Sequence, residues 1–425
     1  MMRVAIYAIN YAPELTGCGK YTGEMARWLA ANGCRVDVVT TPPYYPEWAV
    51  REGYESLRYQ SAIEQTDGEP IRVTRCPLFV PAKVTGKSRL LHLLSFALSS
   101  APALVRTLWR KQDLLILVLP TLACAPLALL LGRLFGVRIW VHVQDFEVDA
   151  AFGLGVISGG MTRQIASAIE SRLLRAFDRV SSITPRMVER ATAKGVASEK
   201  ALLFPNWVDL SAIYPLQGPN AFRAELGLGD KDVLLLYSGN MGEKQGIEII
   251  IDAARQLEVL PRVRFALVGS GAALERLKAS GAGLSNVCWL PLQPMEKLNV
   301  MLNAADIHLL PQRADAADLV MPSKLTGMLA SAKAVIGTAA AGTQLGDVLD
   351  QVGVRVEPGD TEAFVSAIQT IASDGVHRAT LGQLGRRYAE EHLDCDHIMN
   401  RFLLDARKCC GFASIDAVQA HSVAR

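Results

Sequence analysis

A chain of 425 residues with 44 Lys and Arg against 42 Asp and Glu lacks an excess of either charge. It therefore has no global pull toward nucleic acid, and any charge-driven recognition must be local. Cysteine is scarce and scattered: of eight, only Cys409 and Cys410 are adjacent, and neither a Cys-x-x-Cys nor a Cys/His cluster has metal-ligand spacing. Reduced, cytosolic thiols and no metal are expected. No secretion signal is expected either, because Val4 to Ile9 runs straight to Asn10 and Pro13 without a basic n-region, long apolar core or cleavage site. The greasiest stretch, Leu114 to Phe135, is broken by Pro120 and Pro126. It reads as a buried strand, Leu114–Leu119, and a covering helix, Leu122–Phe135, rather than as a membrane span.

What is present describes a globular protein: 50% hydrophobic residues, with 34 Gly and 20 Pro spread along the chain. The length exceeds what one core fills, so two domains are expected. Apolar runs alternate with helical stretches: strands Arg3–Ala8, Arg35–Thr40, Val137–Val143, Arg179–Thr184 and Ala201–Phe204, with helices Lys20–Asn32 and Met161–Phe177 and one opened by Pro185. A second series starts at Asp232–Tyr237 and continues through Val263–Val268, Asn286–Leu290 and Asp306–Leu310, with helices Gly246–Leu257, Ala272–Ala279, Met295–Ala304 and Ser323–Ala332. The fold class is α/β: two Rossmann-like domains, residues 1–205 and 206–393, with parallel sheets facing a central cleft. Ligands of such sheets bind beyond the carboxyl ends of the strands, so a two-part substrate is expected there.

Several segments have residues suited to that place. Gly17-Cys18-Gly19-Lys20 follows the first strand and opens a helix, where glycine lets backbone N–H groups approach an anion, or simply makes a turn. Its pattern is neither a dinucleotide fingerprint, because Thr22 stands where the third glycine would, nor a P-loop. Ser238-Gly239-Asn240-Met241-Gly242-Glu243-Lys244 opens the second series the same way and offers a lysine to a diphosphate, unless Lys244 is an ordinary solvated lysine. Gly269 and Gly271 close a strand where a flat nucleoside approaches the backbone, or merely cap it. Ser323 is placed to cap a helix that also carries Lys324 and Thr326. Asp315 and Asp318 precede it, as sugar-hydroxyl acceptors or loop solubilisers. In the first domain, His142-Val143-Gln144-Asp145-Phe146-Glu147-Val148-Asp149 brings an imidazole and three carboxylates to a strand end. From Lys83 to Gln112, Lys83, Lys87, Arg89, Arg106, Arg110 and Lys111 stand among leucines with no acidic residue. That suits a helix lying on anionic lipid or holding a lipid diphosphate, or else a core helix with a basic outer face.

In this order the pieces resemble the retaining GT-B glycosyltransferases of family 4, over nearly the whole chain. Asn10-Tyr11-Ala12-Pro13-Glu14-Leu15-Thr16-Gly17 through Pro42-Pro43-Tyr44-Tyr45-Pro46-Glu47-Trp48, and Gln144-Asp145-Phe146-Glu147-Val148-Asp149-Ala150-Ala151-Phe152, resemble the colanic acid fucosyltransferase branch of exopolysaccharide enzymes. Ala304-Ala305-Asp306-Ile307-His308-Leu309-Leu310-Pro311 to Lys324 agrees. The resemblance implies transfer of a sugar, such as fucose from GDP-fucose, from a nucleotide-sugar donor to a lipid-linked (polyprenyl diphosphate) saccharide, with no metal or other cofactor. It also implies a C-terminal helix within 394–410 that packs back on the first domain; the basic segment 83–112 adds the expectation of a cytoplasmic enzyme peripheral to the inner membrane. By the same resemblance Lys244 matches the phosphate-contacting lysine, Gly19 the glycine loop facing the donor phosphates, and Asn240 replaces an arginine whose charge Lys324 would supply in part. Gly327 stands where relatives carry a ribose-binding Glu, leaving Thr326, Asp318 or a backbone group to take that contact. Gln144 replaces a histidine before Asp145, so Asp145, with His142 nearby, is the expected acceptor-side group; catalytic roles are expected for Asp145, His142 and Lys244. Two other readings stay open: a non-catalytic scaffold of a polysaccharide-assembly complex, and a sugar-nucleotide epimerase or phosphorylase on the same fold.

Overall fold

A computed structural model of the chain describes residues 1–14, 17–149, 160–242, 245–313 and 322–412. The chain folds as two compact units, one formed by Met1–Pro205 with the stretch from Ile398 onward, the other by Asn206–His397.

The first unit is built on an eight-stranded sheet of β1 (Arg3–Ala8), β2 (Arg35–Thr40), β3 (Gln60–Glu64), β4 (Ile71–Arg75), β5 (Leu114–Leu119), β6 (Arg138–Val143), β7 (Arg179–Ser182) and β8 (Ala201–Leu203). Their order is β3-β4-β2-β1-β5-β6-β7-β8, parallel throughout except for the antiparallel edge pair β3–β4. All six residues of β5 are buried. Helices cover both faces there, which is why the strand reads as an unbroken apolar run rather than an alternation. Strands β3 and β4, at one side of the sheet, have no such run and were not anticipated from the sequence; edge strand β3 is mostly exposed. The chain leaves β1 toward β2 on one side and returns through β5 on the other, so the switch point where ligands bind lies at the carboxyl ends of β1 and β5.

The apolar stretch that raised the membrane question is divided as its prolines require: strand Leu114–Leu119, a single 3₁₀ turn Leu122–Cys124, and helix Ala125–Leu134. The basic segment forms helix Gly86–Leu108, begun by a capping box between Thr85 and Ser88. Its inner face buries His92, Phe96, Ser100 and Leu104, and the Phe96 ring lies 5.4 Å from Tyr7 of β1. Helix Cys395–Cys409 belongs mostly to this unit, with Phe402 stacked on Phe204 at 4.4 Å and edge-on to Trp140 at 5.0 Å.

The second unit has a six-stranded parallel sheet of β9 (Val233–Asn240), β10 (Val263–Ser270), β11 (Val287–Leu290), β12 (Ile307–Leu310), β13 (Ala334–Thr338) and β14 (Val354–Val356), ordered β11-β10-β9-β12-β13-β14. Along β9, Leu235 and Tyr237 enter one apolar cluster and Leu234 and Leu236 the other, so strand alternation feeds two helical layers. The sheet extends past the last strand named from sequence by β13 and β14, which are joined and covered by helices Gln344–Val352, Thr361–Ser373 and Gly375–His392. Its switch point lies between β9 and β12.

Candidate active site

Beside the switch point of the second unit, β9 ends in Gly239 and Asn240 and its other neighbour β10 in Gly269 and Ser270, paired in register. Gly269 has φ +154°, and a Cβ there would stand 1.9 Å from the Gly239 carbonyl oxygen. Only glycine allows the two strand ends to run this close, which leaves bare backbone on the surface. Gly271 follows the same logic, since a Cβ would meet the Met241 carbonyl at 2.4 Å and Asn240 Oδ1 at 2.7 Å. The Asn240 carbonyl is fixed by a hydrogen bond from the Tyr237 hydroxyl at 2.6 Å.

Over this floor lies Lys324, the first residue of helix Lys324–Ala330. A Cβ on Gly239 would be 3.6 Å from Lys324 Cδ and 3.7 Å from its Nζ. The ammonium sits 4.0 Å from the centroid of the Tyr237 ring and has no hydrogen-bond partner among the described residues. Burial lowers its pKa to about 7, because a charge taken out of water without an anion is disfavoured. A ring quadrupole offsets part of that cost, and a negatively charged ligand would offset more.

Other residues expected here have different surroundings. Ser323 is exposed and makes no capping bond, contrary to the sequence expectation, since its backbone is already helical at φ −60°. Thr326 is buried and donates its hydroxyl to the Ser323 carbonyl at 3.0 Å, which keeps it inside the helix rather than on a ribose. A Cβ at Gly327 would already press on Leu302 Cδ1 at 3.3 Å, so the glycine fits a tight helix contact. Lys244, Asp315 and Asp318 lie outside the described residues.

The switch point of the first unit is organised by Glu14, which the sequence reading quoted without assigning it a role. Its buried carboxylate accepts the backbone N–H groups of Tyr44 and Tyr45, both at 3.0 Å, and Asn10 Nδ2 at 2.9 Å. Burial raises its pKa and these three donors oppose the rise. Buried Arg75 works beside it, donating to the carbonyls of Ala12 at 2.6 Å and Thr41 at 2.8 Å. Together they bind the loop after β1 to the loop after β2, and so join the two strings Asn10–Glu14 and Pro42–Trp48. The Tyr44 and Trp48 rings then pack on His92 of the basic helix, at 4.6 and 5.1 Å.

Gly19, expected to face a phosphate, instead backs onto Glu14: a Cβ there would be 2.6 Å from Glu14 Oε2. The neighbouring Cys18 thiol is pushed up to about 12 by burial first and then by the charges of Asp145, Glu14 and Glu147. The charges of Glu14, Asp145 and Glu147 thus reach Cys18 in the first turn of helix Gly17–Ala31. Glu147, whose Oε2 accepts the Leu122 N–H at 2.6 Å, is raised by burial to about 7, within working range for a general acid or base. Asp145 lies beside it and contributes to that rise.

His142 has no such freedom. Gln144 Nε2 donates to its Nε2 at 2.9 Å, which leaves Nδ1–H to donate to Ser181 Oγ at 3.0 Å, and the ring packs on Phe204 at 4.8 Å. Both nitrogens are committed, and burial lowers the pKa to about 3. The imidazole expected to react is therefore a neutral positioning group that orients Gln144 next to Asp145. Among the described residues no three His, Cys, Asp or Glu side chains converge as a metal-binding group.

Residues 16–207 match the glycosyl transferase 4-like domain and residues 220–388 the glycosyl transferases group 1 family. The chain is 43% identical over 417 residues, 96% of its length and 100% of the relative's, to WcaI of Escherichia coli (strain K12), a protein with a provisional name as a colanic acid biosynthesis glycosyl transferase. The D-inositol 3-phosphate glycosyltransferase of Segniliparus rotundus is 28% identical over 231 residues, covering 52% of this chain and 50% of its own. Among solved structures, sucrose-phosphate synthase from Thermosynechococcus elongatus aligns with a TM-score of 0.72 at 19% identity, over 96% of this chain and 99% of its own. Anabaena HepE in complex with UDP and glucose aligns with a TM-score of 0.68 at 15% identity, over 95% and 98%. At that identity the likeness speaks to the fold alone.

Two buried histidines, His142 and His308, each hold a pKa of about 3 against 6.5 when exposed. Unfolding takes up a proton at each between those values, so stability is full above pH 6.5 and falls as pH drops toward 3. At pH 5 the loss is about 2 kcal/mol per histidine. Denaturant titrations at pH 7 and 5 measure it, and a His142→Asn protein should show the smaller drop; an equal drop would remove His142 from the account.

Proposed function

The chain belongs to the glycosyltransferases that join a glycosyl transferase 4-like domain to a group 1 domain on the two-domain α/β GT-B fold, and from that premise we propose its substrates and chemistry. It takes a sugar from a nucleoside diphosphate donor, with retention of anomeric configuration and without a metal. The acceptor is a lipid-linked saccharide of exopolysaccharide assembly, of the colanic acid type, and GDP-fucose is the first donor to try. The likeness to WcaI over its full length supports the pathway. The ammonium of Lys324, without a hydrogen-bond partner among the described residues and at the open end of the second unit's sheet, is the observation that carries the chemistry.

In such a transfer the glycosidic C–O bond to the β-phosphate lengthens as negative charge gathers on the departing diphosphate. Lys324 is placed to stabilise that charge from above the Gly239–Gly269 backbone, with Lys244 assigned the same task by the family resemblance. The acceptor hydroxyl loses its proton as the new bond forms. Asp145 orients it, and Glu147 or the departing phosphate takes the proton.

The acceptor's lipid accounts for a further surface. Helix Gly86–Leu108 leaves Leu90, Leu91, Leu94, Leu98 and Val105 exposed, followed by Trp109, and Leu98 is 77% and Trp109 75% accessible. Lys83, Lys87, Arg89, Arg106 and Lys111 are exposed with them. Although long and apolar enough to cross a membrane, the helix is tied to the sheet through its buried face, so it lies on the surface of the cytoplasmic leaflet rather than spanning it.

Purified protein incubated with a panel of nucleotide sugars and a membrane extract should release nucleoside diphosphate with one donor and add one sugar mass to the lipid fraction. Lys324→Ala should lower turnover about 100-fold. Donor binding with no release across all acceptors would favour a scaffolding protein. On flotation, the wild-type chain should rise with anionic vesicles and not with neutral ones, and a Leu91→Ser, Leu98→Ser protein should stay behind; equal flotation of both proteins would discard the membrane face.

A further inference from the structure

A second basic site lies at the other edge of the donor unit's sheet. A cavity of about 610 Å³ opens at the amino ends of β12 and β13, lined among others by Asp306, Lys333, Arg378, Arg386 and Arg387. Lys333 and Asp306 directly precede the register partners Ala334 and Ile307, so the topology places them side by side. The three arginines all come from helix Gly375–His392. That helix can press against the Ala332 turn because residue 382 is glycine, where a Cβ would stand 2.1 Å from the Ala332 carbonyl.

Four cations thus share a cavity with one carboxylate. Asp306 is already engaged, by Arg223 Nη1 at 2.7 Å, by the Leu234 N–H at 2.8 Å and by Arg378 at 3.9 Å. Arg378 is fixed by the carbonyls of Ile371 and Ala372, at 2.9 and 3.0 Å. Arg386 is held by those of Ile213 and Ala330, at 3.0 and 2.9 Å, and by Glu390 at 2.7 Å. Lys333 and Arg387 make no hydrogen bond or close ion pair among the described residues. Burial, with Arg223 and Arg378 behind it, lowers the Lys333 pKa, and only Asp306 opposes this. Rigid cations with two unspent heads describe a site preorganised for an anion of more than one charge.

We propose that this cavity binds a phosphorylated small molecule of at least two negative charges, at a place separate from sugar transfer. The separation follows from topology: the reaction edge is the carboxyl end of the strands, and these residues stand at the amino end. Helix Lys324–Ala330 runs between the two edges, with Lys324 at its start and its last carbonyl, that of Ala330, bonded to Arg386 of the cavity. An anion held by Lys333 and Arg387 therefore sits one short helix away from the donor lysine.

Calorimetric titration of the full chain with inorganic pyrophosphate should resolve two binding events. A Lys333→Gln, Arg387→Gln protein should lose one of them, weakened at least tenfold, and keep the other; Lys324→Ala should do the reverse. Arg387→Glu, at an exposed position that folding does not require, should weaken the same event. Acylation of Lys333, followed by peptide mass, should slow when pyrophosphate is present in the Lys324→Ala protein. A single event removed entirely by Lys324→Ala, with Lys333 acylated at an unchanged rate, would overturn the proposal without touching the glycosyltransferase reading.

Discussion

The second unit is organised around a lysine ammonium that has been taken out of water and has no hydrogen-bond partner among the described residues. Lys324 keeps its ammonium over the Tyr237 ring, above strand ends that only glycine at 239 and 269 brings together. Such a charge is unfavourable by itself, since a buried ammonium without a partner lowers its own pKa instead of persisting, and here it does so to about 7. The surrounding structure holds it there all the same: Leu325, Met328 and Leu329 of its helix are fully buried in the apolar layer below. Stability contributed by that layer offsets the strain of the site. A group that costs folding energy and sits where the sheet opens is most simply explained by a ligand that supplies the missing charge.

The first unit solves the opposite problem. Its switch point gathers Glu14, Asp145 and Glu147, and backbone N–H groups hold Glu14 and Glu147, with Arg75 beside Glu14. Glu14 takes three donors from two loops, which is how separate strings of sequence become one surface. Glu14 and Glu147, both with raised pKa, are suited to moving protons from sugar hydroxyls, and a buried ammonium without a hydrogen-bond partner among the described residues is suited to receiving a diphosphate. Each unit thus presents the chemistry that one side of a glycosyl transfer requires.

Much of this was legible in the sequence. Leu114–Leu119 suited a strand covered on both faces better than part of a membrane span, and Pro120 and Pro126 told where it stopped. Gly239, Gly269 and Lys324 were recognisable because each stands next to a strand end or helix start, where local rules apply. What escaped were relations set by packing. Gly19 looked like a phosphate loop because spacing cannot reveal that Glu14 would fill the space. His142 looked reactive because nothing local announces that Ser181, 39 residues on, takes its Nδ1. Arg75, the last residue of a five-residue strand too short to stand out, gave no signal, and the cavity at Lys333 joins residues from Asp306 to Arg387 that only the fold brings together.

The central claim is that Lys324 supplies the counter-charge for the donor's diphosphate. Its direct test is the proton uptake that accompanies nucleoside diphosphate binding, measured by calorimetry at pH 8 in buffers of different ionisation enthalpy. With a pKa near 7 in the free protein, Lys324 is mostly neutral at that pH, and an anion beside it should recruit close to one proton. Uptake that disappears in Lys324→Ala is the expected result. Binding with equal affinity in both proteins and no proton taken up in either would contradict it.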